Sequence, residues 1–156
     1  MELTIVAVGT RLEPWLTDAF EDYRRRLPPH LKLRLQEVPL ARRTIRVKGA
    51  APIEEEGRRL LKHVRPDAHA VLLDEHGRQA DSMGLAKELG GWLAREPHVA
   101  FLVGGPDGVS QACRARADAT WSLSRLTLPH GLVRVLLAEQ LYRAWTILQG
   151  HPYHRA

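Results

Sequence analysis

Three short runs in the last third of the chain carry residue types that could do chemistry. Gly104-Gly105-Pro106-Asp107-Gly108 follows a stretch of apolar residues, Ser124-Arg125-Leu126-Thr127-Leu128-Pro129 leads into His130, and His151-Pro152-Tyr153-His154-Arg155 follows Gly150. Two glycines at a strand end let a ligand approach the backbone without meeting a Cβ, and Pro106 fixes the direction in which the chain leaves. A polar residue leading into Leu126-Thr127-Leu128 supplies backbone donors and acceptors beside apolar walls, surroundings that suit a flat, uncharged ring such as adenine. Leu73, at the end of another apolar run, would add a third apolar contact. The bland alternatives are an ordinary turn for the glycines and core packing for Leu126 and Leu128.

The glycine run lacks the Gly-x-Gly-x-x-Gly spacing of a dinucleotide fold and has no lysine for a phosphate-binding loop, so neither nucleotide motif is present. His151 and His154 are three apart, yet a lone cysteine and no nearby acidic partner leave no convincing metal-ligand set. Tyrosine and histidine in the tail could instead stack on or hydrogen-bond a nucleobase, with Arg155 on a phosphate. A chain terminus is ordinarily frayed, so the tail matters only if something ties it down.

The elements that must position these runs follow from periodicity. Leu3 to Val8, Ala70 to Asp74 and Val99 to Val103 are nearly continuous apolar runs, as expected of strands covered on both faces. Residues 31–38 alternate as in a half-exposed strand. Helical spacing marks 13–27, 52–64, 82–95 and 109–117, with short extended pieces at 121–123 and 126–128. Glu75-His76-Gly77 reads as the turn that closes its strand. The final helix carries Val133, Leu136, Leu137, Leu141, Ala144, Trp145 and Leu148, and Leu132, Val135 and Ala138 widen that stripe beyond what one core contact needs. Strands alternating with helices imply a single α/β domain around a mainly parallel sheet. Ligands in such sheets sit at the carboxyl ends of strands, where Asp74 and Gly104-Gly105 both fall.

A net charge of +5, almost all of it arginine because lysine occurs only at 32, 48, 62 and 87, fits a polyanionic partner. The basic stretch 41–51, with Arg42, Arg43, Arg46 and Lys48, is one candidate contact; a solvated surface loop is the other reading. Cys113 is the single cysteine and no charged start precedes an apolar run, which points to a reducing cytoplasm. The most apolar stretch, near Leu132 to Leu148, is interrupted by Arg134, Glu139, Gln140 and Arg143, so it would bury charge if it crossed a bilayer.

Val6-Ala7-Val8-Gly9-Thr10, Gly104-Gly105-Pro106-x-Gly108, Leu126-Thr127-Leu128-Pro129-His130, Leu141-Tyr142-Arg143-Ala144-Trp145 and the tail together resemble the ribosomal RNA large-subunit methyltransferase H family of the SPOUT superfamily. The resemblance spans the whole chain. It implies a C-terminal trefoil knot, a homodimer whose interface includes the last helix, and methylation of N3 of a pseudouridine in 23S ribosomal RNA with S-adenosylmethionine as methyl donor. It maps the cofactor pocket to Leu73, Gly104, Gly105, Ser124, Arg125, Leu126, Thr127, Leu128 and Pro129, with Arg125 and Gly131 at positions where the family tolerates other residues. His130, Tyr153, His154 and Arg155 become the candidates for orienting the uracil. A ribosome-associated binding protein without catalysis and a knotted methyltransferase acting on tRNA are the competing functions.

Overall fold

In the computed structural model, which describes residues 1–43 and 50–155, five strands form one parallel sheet in the order β2-β1-β4-β3-β5. They are β1 (Glu2–Val8), β2 (Lys32–Val38), β3 (His69–Gln79), β4 (His98–Val103) and β5 (Ala119–Ser122). The helices are α1 (Pro14–Arg26), α2 (Ala50–Leu61), α3 (Ser82–Arg95), α4 (Gln111–Arg116) and α5 (His130–Leu148), and a 3-10 turn spans Pro152–Arg155. Arg46 and Lys48 of the basic stretch lie outside the described residues.

The continuous apolar runs are explained by the layers. Leu3, Ile5 and Ala7 of β1 pack with Phe20, Leu89 and Leu141 from α1, α3 and α5 on one face. Val6 and Val8 pack with Leu60 and Cys113 from α2 and α4 on the other. A central parallel strand buried on both sides has no position left for a polar residue, so alternation vanishes. Helix α3 starts where Asp81 accepts the Gly84 N–H, and α4 starts where Ser110 accepts the Cys113 N–H.

Two expected boundaries differ. Strand β3 does not end at Glu75-His76-Gly77 but runs on to Gln79, because Leu73 and Arg78 both pair with Trp121 and the residues between them loop out against a single partner. Gly77 is needed there for close approach: a Cβ would lie 2.5 to 2.8 Å from Trp121 backbone atoms. Residues 126–128 form no strand. They lie in the loop beyond edge strand β5, where Ser124 Oγ accepts the Leu126 N–H and a local turn replaces ladder pairing.

Helix α5 is the organising element of one face, packed against α1 and α3. Arg134, which interrupts its apolar pattern, is 1% exposed. Its guanidinium donates to Glu37 Oε2 (2.7 Å) and to the carbonyls of Val8 (2.9 Å) and Gly9 (2.8 Å), tying the first turns of α5 to the carboxyl end of β1. Gly9 adopts φ +110°, and a Cβ there would stand 3.2 Å from that guanidinium. Leu136 and Leu148 remain exposed on α5, part of the surplus apolar stripe.

Candidate functional site

A cavity of about 480 Å³ opens at the carboxyl ends of β3 and β4 and along the β5–α5 loop, the position where parallel α/β sheets leave room for ligands. Leu73, Gly104, Gly105, Ser124, Leu126, Thr127, Leu128 and His130 all line it, so the structure brings together residues up to 57 apart in sequence that spacing alone only suggested. Arg125 and Pro129 belong to the same loop but are exposed and do not line the cavity. Leu126 is 75% exposed, which removes the core-packing reading for that side chain and leaves it as an uncovered apolar wall.

The two glycines do their work differently from the sequence expectation. A Cβ on Gly104 would meet Val109 at 2.4 Å and the Gly108 carbonyl at 2.8 Å; one on Gly105 would meet Glu56 Oε2 at 2.8 Å and Val8 at 3.2 Å. Both Cβ directions run into the protein. The glycines let the chain fold into a tight hairpin, closed by the Gly108 N–H on the Gly105 carbonyl (3.2 Å) with Gly108 at φ +102°, and lodge it against α2.

The charge of the lining decides what the cavity can hold. Asp74, Glu75 and Asp107 line it, and no lysine or arginine does among the described residues. Asp74 is paired with Arg114 and Asp107 with Arg43, so the wall is acidic but partly compensated, and it offers a phosphate no lysine or arginine of its own, whereas a cationic, phosphate-free ligand needs none. Burial alone would raise the Asp74 carboxyl, but the His76 N–H (2.8 Å) and the Arg114 guanidinium (2.7 Å) outweigh it and hold the group below its ordinary value. Asp74 is therefore ionised at neutral pH. An S-adenosyl sulfonium, with an adenine for the apolar walls and no phosphate, fits this set.

His130 opens α5 directly at the cavity, behind Pro129, which supplies no side-chain cap. Burial pushes its imidazole below the ordinary value of 6.5, and Arg134 adds to the effect; Glu56 and a ring hydrogen bond to the Gly104 backbone oppose it without winning. The lowered value favours the neutral imidazole near pH 7.

The tail is tied down. Tyr153 Oη donates to Glu139 Oε1 (3.0 Å), its ring meets Tyr142 edge-on at 4.7 Å, and the Arg143 guanidinium lies 5.0 Å over it. Burial first, then contacts with Tyr23 and Glu139, push the phenol well above its ordinary range. Tyr153, His154 and Arg155 do not line the cavity. Glu139 lies nine residues along α5 from His130, about 14 Å on the helix axis and half a turn round it. One chain does not unite His130 with the tail.

A second groove of about 490 Å³ lies near the amino ends of β1 and β4. Its arginines are matched by acids, Arg24 by Glu21, Arg34 by Glu2 and Arg65 by Asp67, which makes it a salt-bridged surface rather than a site with unmet charge. Among the described residues no three histidine, cysteine or acidic side chains are grouped to hold a metal, and no helix is long and apolar enough to cross a membrane.

Sequence reasoning missed Asp74, Glu75 and Asp107 as a set, because their shared wall exists only once β3 and the hairpin stand side by side. Known proteins bear on the same residues. A ribosomal RNA large subunit methyltransferase H of Alkalilimnicola ehrlichii is 52% identical over an alignment that covers all of both chains. Proteins of the same description from Methylococcus capsulatus and Thioalkalivibrio sulfidiphilus are 48% and 47% identical over 99% of this chain and 100% and 99% of theirs. The family model described as a predicted SPOUT methyltransferase matches residues 1–154. With a relative half identical over its full length and a family model spanning nearly every residue, the chain belongs to the SPOUT methyltransferases.

Proposed function

We propose that the protein methylates N3 of a pseudouridine in 23S ribosomal RNA, with S-adenosylmethionine as donor, the substrate class carried by its relatives' names. The observation that carries the donor assignment is the cavity's lining: apolar walls, three carboxylates and no lysine or arginine among the described residues. Bound there, the cofactor supplies an electrophilic methyl on a cationic sulfur. Leu73, Leu126 and Leu128 would offer apolar walls to its adenine, and the acidic lining, with Asp74 and Asp107 already paired to Arg114 and Arg43, would not repel the sulfonium.

The chain's own task is to remove a proton. N3 of the base carries an imide hydrogen that leaves as the N3–methyl bond forms, and His130, in the cavity lining with its imidazole held toward the neutral form, is the residue that would take it. No covalent enzyme intermediate is involved. Cys113 is fully buried, burial pushes its thiol up, and its sulfur points to the Gly57 carbonyl.

Tyr153, His154 and Arg155 meet the RNA from a second copy, since the helix that separates them from His130 keeps them apart within one chain. Among the described residues His154 Nδ1 and Trp145 Nε1 are buried without a partner, and Leu136 and Leu148 are exposed on α5, groups a homodimer contact or the RNA would cover. The basic surplus favours association with the ribosome or its large subunit in the cytoplasm.

Calorimetry with S-adenosylmethionine, followed by methylation of rRNA, large subunits and ribosomes from a strain lacking the gene and mapping of the modified base, tests this reading. Cofactor binding and one N3-methylated pseudouridine are expected. No cofactor binding, as for a non-catalytic ribosome-binding protein, or methyl transfer to tRNA alone would overturn it.

A further inference from the structure

Behind the cavity wall, one network of charged groups reaches from a nearly inaccessible carboxylate on α2 to Asp107 of the lining. Glu56 of α2 is 2% exposed, and its Oε1 accepts both the Ala41 N–H (3.1 Å) and the Arg43 guanidinium (2.7 Å). The same guanidinium donates through Nε to Asp107 Oδ2 (2.6 Å) at the hairpin tip and through Nη1 to the Ala41 carbonyl (2.9 Å). Glu56 Oε2 has no partner among the described residues, and a Cβ on Gly105 would stand 2.8 Å from it. Arg59 donates to the Pro39 carbonyl (2.8 Å), fixing the segment before Arg43 to the same helix.

We infer that Arg43 is a positioning residue for the ligand cavity: by joining buried Glu56 to Asp107 it clamps the Gly104–Gly108 hairpin in the shape that receives the cofactor. The hairpin has one internal closing bond, Gly108 N–H to Gly105 carbonyl, and its tip residues Pro106 to Gly108 are exposed. Without a clamp the tip has no tie to α2 through a charged group, and the backbone that lines the cavity gains freedom the ligand must remove on binding. Arginine suits the task because its planar fork serves two carboxylates at once, which a lysine's single ammonium cannot do in the same geometry. The role rests on the cavity being the cofactor site.

The test is isothermal calorimetry with S-adenosylhomocysteine on the full chain, with hydrogen exchange at the Gly108 amide. Arg43→Met should raise Kd about tenfold, the scale expected when a charge-assisted clamp on a binding loop is lost, and speed Gly108 exchange. Arg43→Lys should recover part of the affinity, and Asp107→Asn should weaken binding less in the Arg43→Met background than in the parent, because the two share one contact. The clamp is wrong if Arg43→Met binds within about twofold of the parent at a temperature where both are folded, or if the Arg43 and Asp107 effects multiply. Failure of the parent protein itself to bind would instead overturn the cofactor assignment.

Discussion

Replacing Arg134 with methionine isolates what the buried guanidinium contributes. Methionine keeps an unbranched chain of similar reach and removes the charge and all three hydrogen bonds. The Val8 and Gly9 carbonyls then lose their donor at a site that is 1% exposed, and each unsatisfied buried acceptor costs about 1–3 kcal/mol. Glu37, 32% exposed, recovers water and costs little. Against this, the substitution removes an Nε that is buried without a partner and a charge that was expensive to desolvate. The balance is a loss of about 3 kcal/mol, within the range for breaking a buried ionic contact. With a urea m-value of about 2 kcal/mol/M for a chain of this size, the midpoint should fall by about 1.5 M. Urea unfolding followed by tryptophan fluorescence at fixed protein concentration reads it, with Glu21→Gln, which breaks an exposed pair with Arg24, as a control expected to cost under about 1 kcal/mol. A loss below about 1 kcal/mol for Arg134→Met would show that the strand-end carbonyls find other donors and that Arg134 does not anchor α5.

His130 gives a pH signature. Its folded pKa lies below 6.5, so between the two values the unfolded chain holds more protons, and stability should rise with pH through that window; His130→Asn should flatten this slope in urea midpoints taken between about pH 5 and 7. Single-turnover methylation should climb over the same window and level off above it, and an unchanged pH profile in His130→Asn would remove the residue from proton transfer. Gly105→Ala pushes a methyl against the buried Glu56 carboxylate and should weaken S-adenosylhomocysteine binding by about tenfold or more in calorimetry, an overpacking effect. Gly77→Ala forces β3 away from the Trp121 backbone and should cost about 2–3 kcal/mol in urea unfolding; a neutral result would mean that the strands separate freely there.

How much of this was legible in the sequence depends on whether a residue's role is local. The β1 and β4 runs and the α5 stripe were visible because burial on both faces writes an unbroken apolar run, and burial on one helical face a period, into consecutive residues. The 126–128 stretch looked extended and became a loop, since alternation cannot report that no neighbouring strand exists. Glu75-His76-Gly77 carried the composition of a turn, yet the strand resumes after it because Trp121 is paired twice. Charged residues were the least legible. Arg134 read as a polar interruption and is instead a nearly inaccessible anchor; Arg43 read as part of a solvated basic loop and instead joins partners 13 and 64 residues away. Charge pattern along a chain carries no sign of which carboxylate will stand opposite.

The same limit explains the most consequential gap, between His130 and Tyr153. Both fall in motifs that a reader of the sequence would pool into one site, and both are ordered by α5. But α5 is a rigid rod whose start faces the cavity and whose middle receives Tyr153 through Glu139 on the opposite side. Moving the tail to the cavity within one chain would require giving up the Glu139 bond and the Tyr142 and Arg143 contacts that hold it. A second copy incurs no such loss: the docked tail can be presented as it stands, and the exposed leucines of α5 supply apolar surface for the contact. If the proposed role of the tail holds, dimerisation and catalysis are the same requirement, and a variant that stays monomeric should lose methyl transfer while still binding the cofactor.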